Sequence, residues 1–166
     1  MIRGIIFSNL MYQLQKKYLY LGKTYEVVHR QNQKNIVELA DKLYIASNNP
    51  KYVRTYLLAW YKQQARRVIA NRVMHYSRIS GVQFQSIRIG STETQWGSCS
   101  SQKNLHFNWK LIMAPLPVID YVVTHELAHI AELNHSRAFW EKVRRMYPLY
   151  RYYRTWLKRY GETLTI

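Results

Sequence analysis

Short apolar runs in the first 46 residues predict β-strands rather than helices. Residues 18–21 and 25–28 are rich in tyrosine, leucine and valine, and Gly22-Lys23 between them predicts the turn of a β-hairpin. Leu43–Ile45 has the pattern of a further short strand. The apolar patch at residues 5–7 is too short and too soon interrupted for a secretion signal, so it too is interpreted as a strand.

A long helix is predicted between Asn49 and Gly81. Asn49 is a preferred N-cap residue, Pro50 suits the first helical position, and glycine commonly follows the last turn. Apolar side chains recur at helical spacing between these two ends. The other face carries Lys51, Arg54, Lys62, Arg66, Arg67 and Arg72. That face is most simply a solvated one, and less readily a track for nucleic acid.

The segment after Gly81 predicts two strands. Val82 and Phe84 alternate, and Ile87 and Ile89 alternate in the opposite phase, which indicates a bulge or break near Ser86. Leu105, Phe107 and Trp109 alternate clearly, so residues 104–110 are predicted to form a half-buried strand. Residues 97–101 are interpreted as a tight connection that leads into it.

Three further helices are predicted in the remaining chain. Pro115 and Pro117 mark the start of the first, with Asp120 expected in its first turn, where a negative charge suits the helix dipole. Its apolar residues surround the axis, which predicts a buried helix: Val118, Ile119, Val122, Val123, Leu127 and Ile130. Ser136 is expected to cap a second helix that runs to about residue 146, where Pro148 follows. The last helix covers about residues 150–160, and Phe139, Trp140, Val143, Trp156 and Leu157 are interpreted as core.

The buried helix contains the pattern H-E-x-x-H at His125, Glu126 and His129. Residues four apart leave the same face of a helix, so two imidazoles converge on one metal ion. A catalytic zinc typically has three protein ligands and one water, and a glutamate beside the first histidine reaches that water. As ordinary partly buried histidines, these side chains would still need polar partners, which a shared metal supplies.

Three residues compete to be the third ligand. Glu132 lies seven residues after His125, about 10 Å along a continuous helix and therefore too far. Glu141 could act from the following helix. His135 follows Asn134, a residue that tolerates the left-handed conformation which ends many helices. We favour His135, because imidazole is the commoner ligand in such zinc sites.

The residues around this pattern extend the comparison to a known family. They are Trp96-Gly97-Ser98-Cys99-Ser100, Asn108-Trp109, Ala114-Pro115, the run from Tyr121 to His129, Asn134-His135-Ser136 and Phe139-Trp140. Together they resemble the YgjP-like family of zinc metallopeptidases, which is related to the WLM and SprT groups. The resemblance is specific from about residue 87 to residue 148.

The resemblance implies an α+β, small zincin-like metallopeptidase fold, with a mixed sheet packed on an active-site helix. It implies zinc ligands at His125, His129 and His135 and a catalytic glutamate at Glu126. The family usually has arginine where this chain has Gln95. In zincins a substrate chain pairs with the strand beside the active-site helix, a role that the resemblance assigns to residues 105–109.

Composition limits the setting. The 166 residues fit one domain, with a β-rich part at residues 1–48 and a helical, zincin-like core at 49–166. Cys99 is the only cysteine, which excludes an intramolecular disulfide and favours a reducing, cytoplasmic setting. It is interpreted as a small buried residue rather than a ligand. The sequence lacks a membrane-spanning stretch.

Lysine and arginine number 25 against 9 acidic residues, a net charge of +16. This charge favours anionic partners and predicts non-specific binding of nucleic acid through the basic surface, without a recognisable DNA-binding motif.

The sequence therefore predicts zinc-dependent hydrolysis of protein or peptide substrates, with Glu126 as general base. His106, Tyr121 and Tyr147 are candidates to stabilise the oxyanion. The alternatives are a metal-dependent hydrolase of a non-peptide substrate such as a nucleotide phosphoanhydride, a DNA-associated protease, and a binding module with structural zinc. The last ranks lowest, because structural zinc usually has four protein ligands.

Overall fold

A computed structural model describes residues 17–47, 49–92 and 94–166, and the strand predicted at residues 5–7 lies outside them. Within the described residues the strands are Lys17–Tyr20 (β1), Lys23–His29 (β2), Val37–Leu39 (β3), Leu43–Ile45 (β4), Ser86–Gly90 (β5), Gly97–Cys99 (β6) and Asn104–Asn108 (β7). The α-helices are Pro50–Ser80 (α1), Leu116–His129 (α2), Arg137–Met146 (α3) and Tyr150–Tyr160 (α4), with 3₁₀ helices at Trp109–Met113 and Gly161–Thr163. The α+β class predicted from the sequence is confirmed.

The N-terminal strands form a four-stranded sheet in the order β1-β2-β4-β3. The predicted hairpin is present, but its turn is Leu21-Gly22 rather than Gly22-Lys23. Both residues have positive φ angles, 48° and 77°, as the tight hairpin turn that matches the strand twist requires. The turn docks on the segment that leads into α2, because Gly22 N donates to Met113 O at 3.0 Å. A β-carbon at Gly22 would lie 2.8 Å from Pro115 Cγ, so only glycine fits there.

Helix α1 begins and ends as predicted. The Asn49 side chain accepts a hydrogen bond from Lys51 N at 3.0 Å, and Gly81 is left-handed with φ 73°. One member of its basic face is not solvated in the way the sequence suggested. Arg72 Nε and Nη2 donate to the two oxygens of Asp120 at 2.5 and 2.9 Å, a bidentate pair that joins α1 to α2. Asp120 is the fifth residue of α2, so the prediction that it lies in the first turn was wrong.

The second sheet has the order β5-β7-β6 and lies beside α2. β5 is parallel to β7, and β6 is antiparallel to it. Two predictions are corrected here. Gly97–Cys99, expected as a connection, is a strand, and the strand predicted at residues 104–110 ends at Asn108, where a 3₁₀ helix begins. Of the two forms predicted near Ser86, a bulge or a break, the structure has the break, because residues 82–85 are not in a strand and β5 begins at Ser86.

The first helix after the second sheet begins where predicted, and α3 and α4 follow their predicted boundaries closely. α2 is buried along most of its length, and the Ser136 side chain caps α3 by accepting a hydrogen bond from Phe139 N at 3.2 Å. Of the side chains interpreted as core, Phe139, Val143 and Leu157 are buried, whereas Trp140 and Trp156 are partly buried. Among the described residues, the helices are all too short or too polar to cross a membrane.

Candidate metal centre

The three histidines singled out in the sequence lie together at the end of α2. One ring nitrogen from each of His125, His129 and His135 falls within 4.8 Å of the others. The three ring centroids form a nearly equilateral triangle with sides of 4.9, 4.9 and 4.8 Å. His125 Nε2 and His135 Nε2 are 3.0 Å apart. His125 and His129 reach this position from one helix face, and His135 reaches it from the loop that follows.

The chain returns to the metal centre by a different route from the predicted one. α2 ends at His129, and Asn134 is not among the non-glycine residues with positive φ, which are Leu21, Asn32 and Lys103 in the described chain. The helix therefore stops five residues before Asn134, and residues 130–134 bring His135 back. The same loop orients His129, because Glu132 O lies 3.0 Å from His129 Nδ1. With a proton on Nδ1, the other nitrogen of His129 keeps its lone pair for a metal.

Helix α3 supports the three histidines from behind. The ring of Phe139 is fully buried, and its centroid lies 4.9, 4.4 and 4.8 Å from the rings of His125, His129 and His135. Trp140 stacks on His135 at 5.6 Å with an interplanar angle of 22°. The Ser136 cap starts α3 at the point that directs both aromatic side chains towards the histidines. The helix after the third histidine thus packs against all three imidazole rings.

The surroundings favour the neutral form of His125 and His135. Burial, and after it the neighbouring His129 and His135, together lower the pKa of His125 to about 3. Burial also lowers the pKa of His135. Neutral imidazoles present lone pairs rather than positive charge, which is the state that binds a divalent metal. Three imidazole nitrogens within 4.8 Å fit a zinc ion with an open fourth position.

Glu126 lies beside the histidines and is 4% exposed. Burial raises the pKa of its carboxyl to about 8, and a cation held by the histidines would oppose that rise. The carboxyl is held against the backbone of β6, because a β-carbon added at Gly97 would lie 2.7 Å from both Cγ and Oε1 of Glu126. Gly97 is thus a site residue that the sequence pattern alone did not single out. Its role depends on a contact between a strand and a helix 29 residues apart in sequence.

These groups face a cleft with a volume of about 480 Å³. One wall comes from α2 and the loop after it, and the opposite wall is β6. Gln95, in the position where the family usually has arginine, is exposed at the rim. Cys99 lines the cleft but is not among the converging nitrogen donors, and burial raises the pKa of its thiol.

The structure separates the three oxyanion candidates. Tyr121 lines the cleft one helical turn before His125. His106 pairs with Ser98 on the opposite face of the sheet from Gly97, which contacts Glu126, so it points away from the cleft. Tyr147 packs against Tyr76 and Tyr153 instead. Of the three, only Tyr121 remains a candidate to stabilise the oxyanion.

Glu141, the alternative third ligand, does not reach the histidines. Its Oε1 accepts a hydrogen bond from Arg137 Nε at 3.2 Å on α3, and the carboxylate lines a separate groove. The structure therefore brings His135, and not Glu141, to the other two histidines, and its role as the third ligand stays a prediction.

A comparison with known protein families identifies the family of this chain. A sequence model described as a YgjP-like metallopeptidase domain matches residues 8–160, and the chain belongs to this metallopeptidase family. Its fold also resembles the crystal structure of the metallopeptidase zymogen of Pyrococcus abyssi abylysin, with a TM-score of 0.45 and 23% identity. That likeness covers 48% of this chain and 80% of the other. No curated protein matches the chain.

Proposed function

We propose that the protein is a zinc-dependent peptidase that uses His125, His129 and His135 as metal ligands and Glu126 as general base. The observation that carries this proposal is the gathering of three histidine nitrogens within 4.8 Å beside a buried carboxyl group that faces an open cleft. A structural zinc site would fill its fourth position with protein, and no fourth donor joins this cluster within the described residues.

When bound, zinc would polarise the scissile carbonyl and lower the pKa of the attacking water. Glu126 accepts the proton from that water and later donates it to the leaving amine. Because Gly97 has no side chain, the Glu126 carboxyl fits against the backbone of β6. Glu126 is thus held by this packing as well as by its position on α2. Glu132 orients His129 through its backbone oxygen.

Tyr121 is the proposed second donor to the developing oxyanion. Burial raises the pKa of its phenol to about 12, so the hydroxyl keeps its proton near neutral pH and acts as a donor. Its ring also lies 5.9 Å from that of His125 in an edge-to-face contact. A Tyr121→Phe variant, which removes the hydroxyl and keeps the ring, therefore tests the donor role without changing the contact with His125.

The strand that receives a substrate chain is β6 rather than residues 105–109. β7 is the central strand of its sheet, whereas β6 pairs only with β7 within the described residues. Asn108 N donates to Trp96 O and Ser100 N donates to Asn104 O, which fixes the phase of the antiparallel ladder. By alternation, Ser98 bonds to β7, and the backbone groups of Gly97 and Cys99 point to the open edge. A substrate chain can add to that edge by backbone pairing.

Two further expectations accompany this proposal. The net charge of +16 keeps non-specific binding of nucleic acid through the basic surface as a prediction, together with a DNA-associated protease as one form of the activity. The single cysteine keeps the reducing, cytoplasmic setting as a prediction.

The test combines zinc-loaded protein, an unfolded fluorescent protein and nucleoside triphosphates, each with and without chelator. We expect hydrolysis of the unfolded protein alone, lost on chelation and restored by zinc. Glu126→Gln should keep zinc and fold while kcat falls by about 10²–10⁴-fold, the usual contribution of a general base. Glu132→Gln is the matched control, because among the described residues the Glu132 carboxylate pairs with Lys142, at 3.9 Å, and the role proposed for Glu132 is through its backbone.

Hydrolysis of triphosphates without cleavage of protein would replace the proposal by the phosphoanhydride alternative. Loss of zinc in Glu126→Gln would make Glu126 a ligand or brace instead of the base. A loss of activity equal to that of Glu132→Gln would leave no role for proton transfer.

A further inference from the structure

A second, larger groove lies between α3 and α4, beside the metal centre. Its volume is about 870 Å³. Five cationic side chains line it together with one carboxylate: Arg137, Arg144, Arg151, Arg154, Lys158 and Glu141. The metal cleft has none of these cations in its walls. The two cavities therefore differ sharply in charge.

The carboxylate in the groove does little to reduce this charge. Glu141 forms an exposed i,i+4 pair with Arg137 at 3.2 Å, and solvent screens such pairs strongly. Four cations remain without a carboxylate partner among the residues that line the groove. Each helix contributes two of its cations seven residues apart, Arg137 and Arg144 on α3 and Arg151 and Lys158 on α4. Seven residues of helix span about 10 Å, which is the length of the charged rows.

The groove is connected to the metal centre by shared side chains. Trp140 lines the groove and stacks on His135 at 5.6 Å. Arg154 lies over the Trp140 ring, with its Cζ 4.6 Å from the ring centroid. Helix α4 places Leu157 in the metal cleft and Lys158 in the groove. The groove therefore adjoins the metal centre, with Trp140 and α4 bordering both cavities.

We propose that this basic groove binds an acidic segment of the polypeptide substrate next to the scissile bond, so that the enzyme selects chains with clustered aspartate or glutamate. This inference rests on the proposed peptidase function. Arginine presents a fork of N–H donors that matches a carboxylate with two parallel hydrogen bonds. A row of about 10 Å accommodates about three residues of an extended chain, at 3.3 Å per residue.

The groove fits a peptide better than a nucleic acid. Non-specific binding of single strands combines a positive track with aromatic faces on which bases stack. Here Trp140 is flanked by His135 and by Tyr150, which stacks on it at 5.3 Å, and Tyr150 is 5% exposed. The aromatic rings in the groove are thus already covered. The charged rows are also short for a backbone that would be held by many phosphate contacts.

The test measures binding by fluorescence anisotropy to the chelator-treated full chain at about 0.15 M salt, where surface charge is screened within about 8 Å. The probes are a labelled peptide with three clustered glutamates, the same peptide with glutamines, and a labelled single-stranded oligonucleotide. The groove variant is Arg144→Glu with Arg151→Glu. The matched control is Arg66→Glu with Arg67→Glu, two exposed residues of α1 with the same change in net charge.

We expect the acidic peptide to bind the parent and the control with the same affinity, and to bind the groove variant at least about tenfold more weakly. The glutamine peptide should bind weakly to all three proteins. Thermal unfolding of each variant shows that it is folded, and Arg144→Gln with Arg151→Gln should give an intermediate loss. In the zinc-loaded enzyme, the ratio of kcat/KM for the acidic and neutral peptides should fall towards one in the groove variant.

Equal losses in the groove variant and the control would mean that only net charge matters, and would overturn the proposal. Tighter binding of the oligonucleotide than of the acidic peptide, lost in the groove variant, would assign the groove to nucleic acid instead. Because the binding assay needs no metal, specific binding without hydrolysis of any peptide would refute the peptidase function and leave the groove intact.

Discussion

The two walls of the metal cleft are made in different ways. The helical wall uses side chains: three imidazoles at the end of α2 and in the following loop, supported by the buried ring of Phe139. The strand wall uses small residues and backbone: Gly97 leaves room for Glu126, and the open edge of β6 offers unpaired peptide groups within the described residues. Side-chain chemistry thus defines the metal site, whereas a missing side chain and a free strand edge define the proposed substrate side.

The largest effect is expected on the helical wall. His135→Ala removes one of three nitrogen donors, so zinc affinity should fall by more than about 10²-fold, since even partners of metal ligands contribute 10–100-fold. Glu141→Ala should leave the affinity within about twofold, because Glu141 contacts Arg137 and not the histidines. Competition with a chromogenic chelator measures both affinities. Full zinc binding in His135→Ala together with loss of zinc binding in Glu141→Ala would transfer the ligand role to Glu141 and contradict the assignment of all three ligands to histidines.

The helical wall was predicted well because its spacing is local. His125 and His129 share a helix face, and the apolar residues around them predicted burial, so the site needed only the period of a helix. His135 was chosen for its donor chemistry, and its position agrees with that choice. The route was wrong, because α2 ends at His129 through loop contacts such as the bond from His129 to Glu132 O, which sequence spacing does not encode.

The strand wall was predicted poorly because its features are non-local. Gly97–Cys99 is only three residues long and consists of small residues, so it has no alternation to recognise and was interpreted as a connection. Its identity as a strand depends on pairing with β7, and its edge position depends on the whole sheet. The pair between Arg72 and Asp120 was missed for the same reason, because the partners lie 48 residues apart.

The strand wall should respond to the addition of a single carbon. Gly97→Ala places a β-carbon 2.7 Å from Glu126 Oε1, so the carboxyl must shift. We expect kcat to fall by about 10–100-fold, since a displacement of about 1 Å in a catalytic group has effects of that size. Zinc content should be unchanged, because the histidines lie on the other wall. Steady-state kinetics with metal analysis measures both quantities.

A double mutant identifies the cause of that loss. In a Glu126→Gln background, Gly97→Ala should lower kcat little further, since both changes act through the same carboxyl. Additive losses would show that Gly97 acts elsewhere, for example by distorting β6. An alanine variant with parental kcat would mean that Glu126 relocates freely, and the close packing between the two walls would then have no catalytic role.

The smallest effect should come from the free edge of β6. The ladder phase directs the N–H of Cys99 away from β7, so Cys99→Pro removes a donor that the sheet does not use. If a substrate chain pairs there, kcat/KM should fall by about two- to tenfold, the net worth of one hydrogen bond. Cys99→Ser keeps that N–H and should match the parent, which separates the backbone group from the thiol.

Ser98→Pro removes an N–H that bonds to β7 and should lower thermal stability instead. Thermal denaturation and kinetics on peptides of increasing length would distinguish the three variants. A fall in kcat/KM in Cys99→Ser equal to that in Cys99→Pro would assign the effect to the Cys99 side chain. The strand wall would then act through side chains, as the helical wall does.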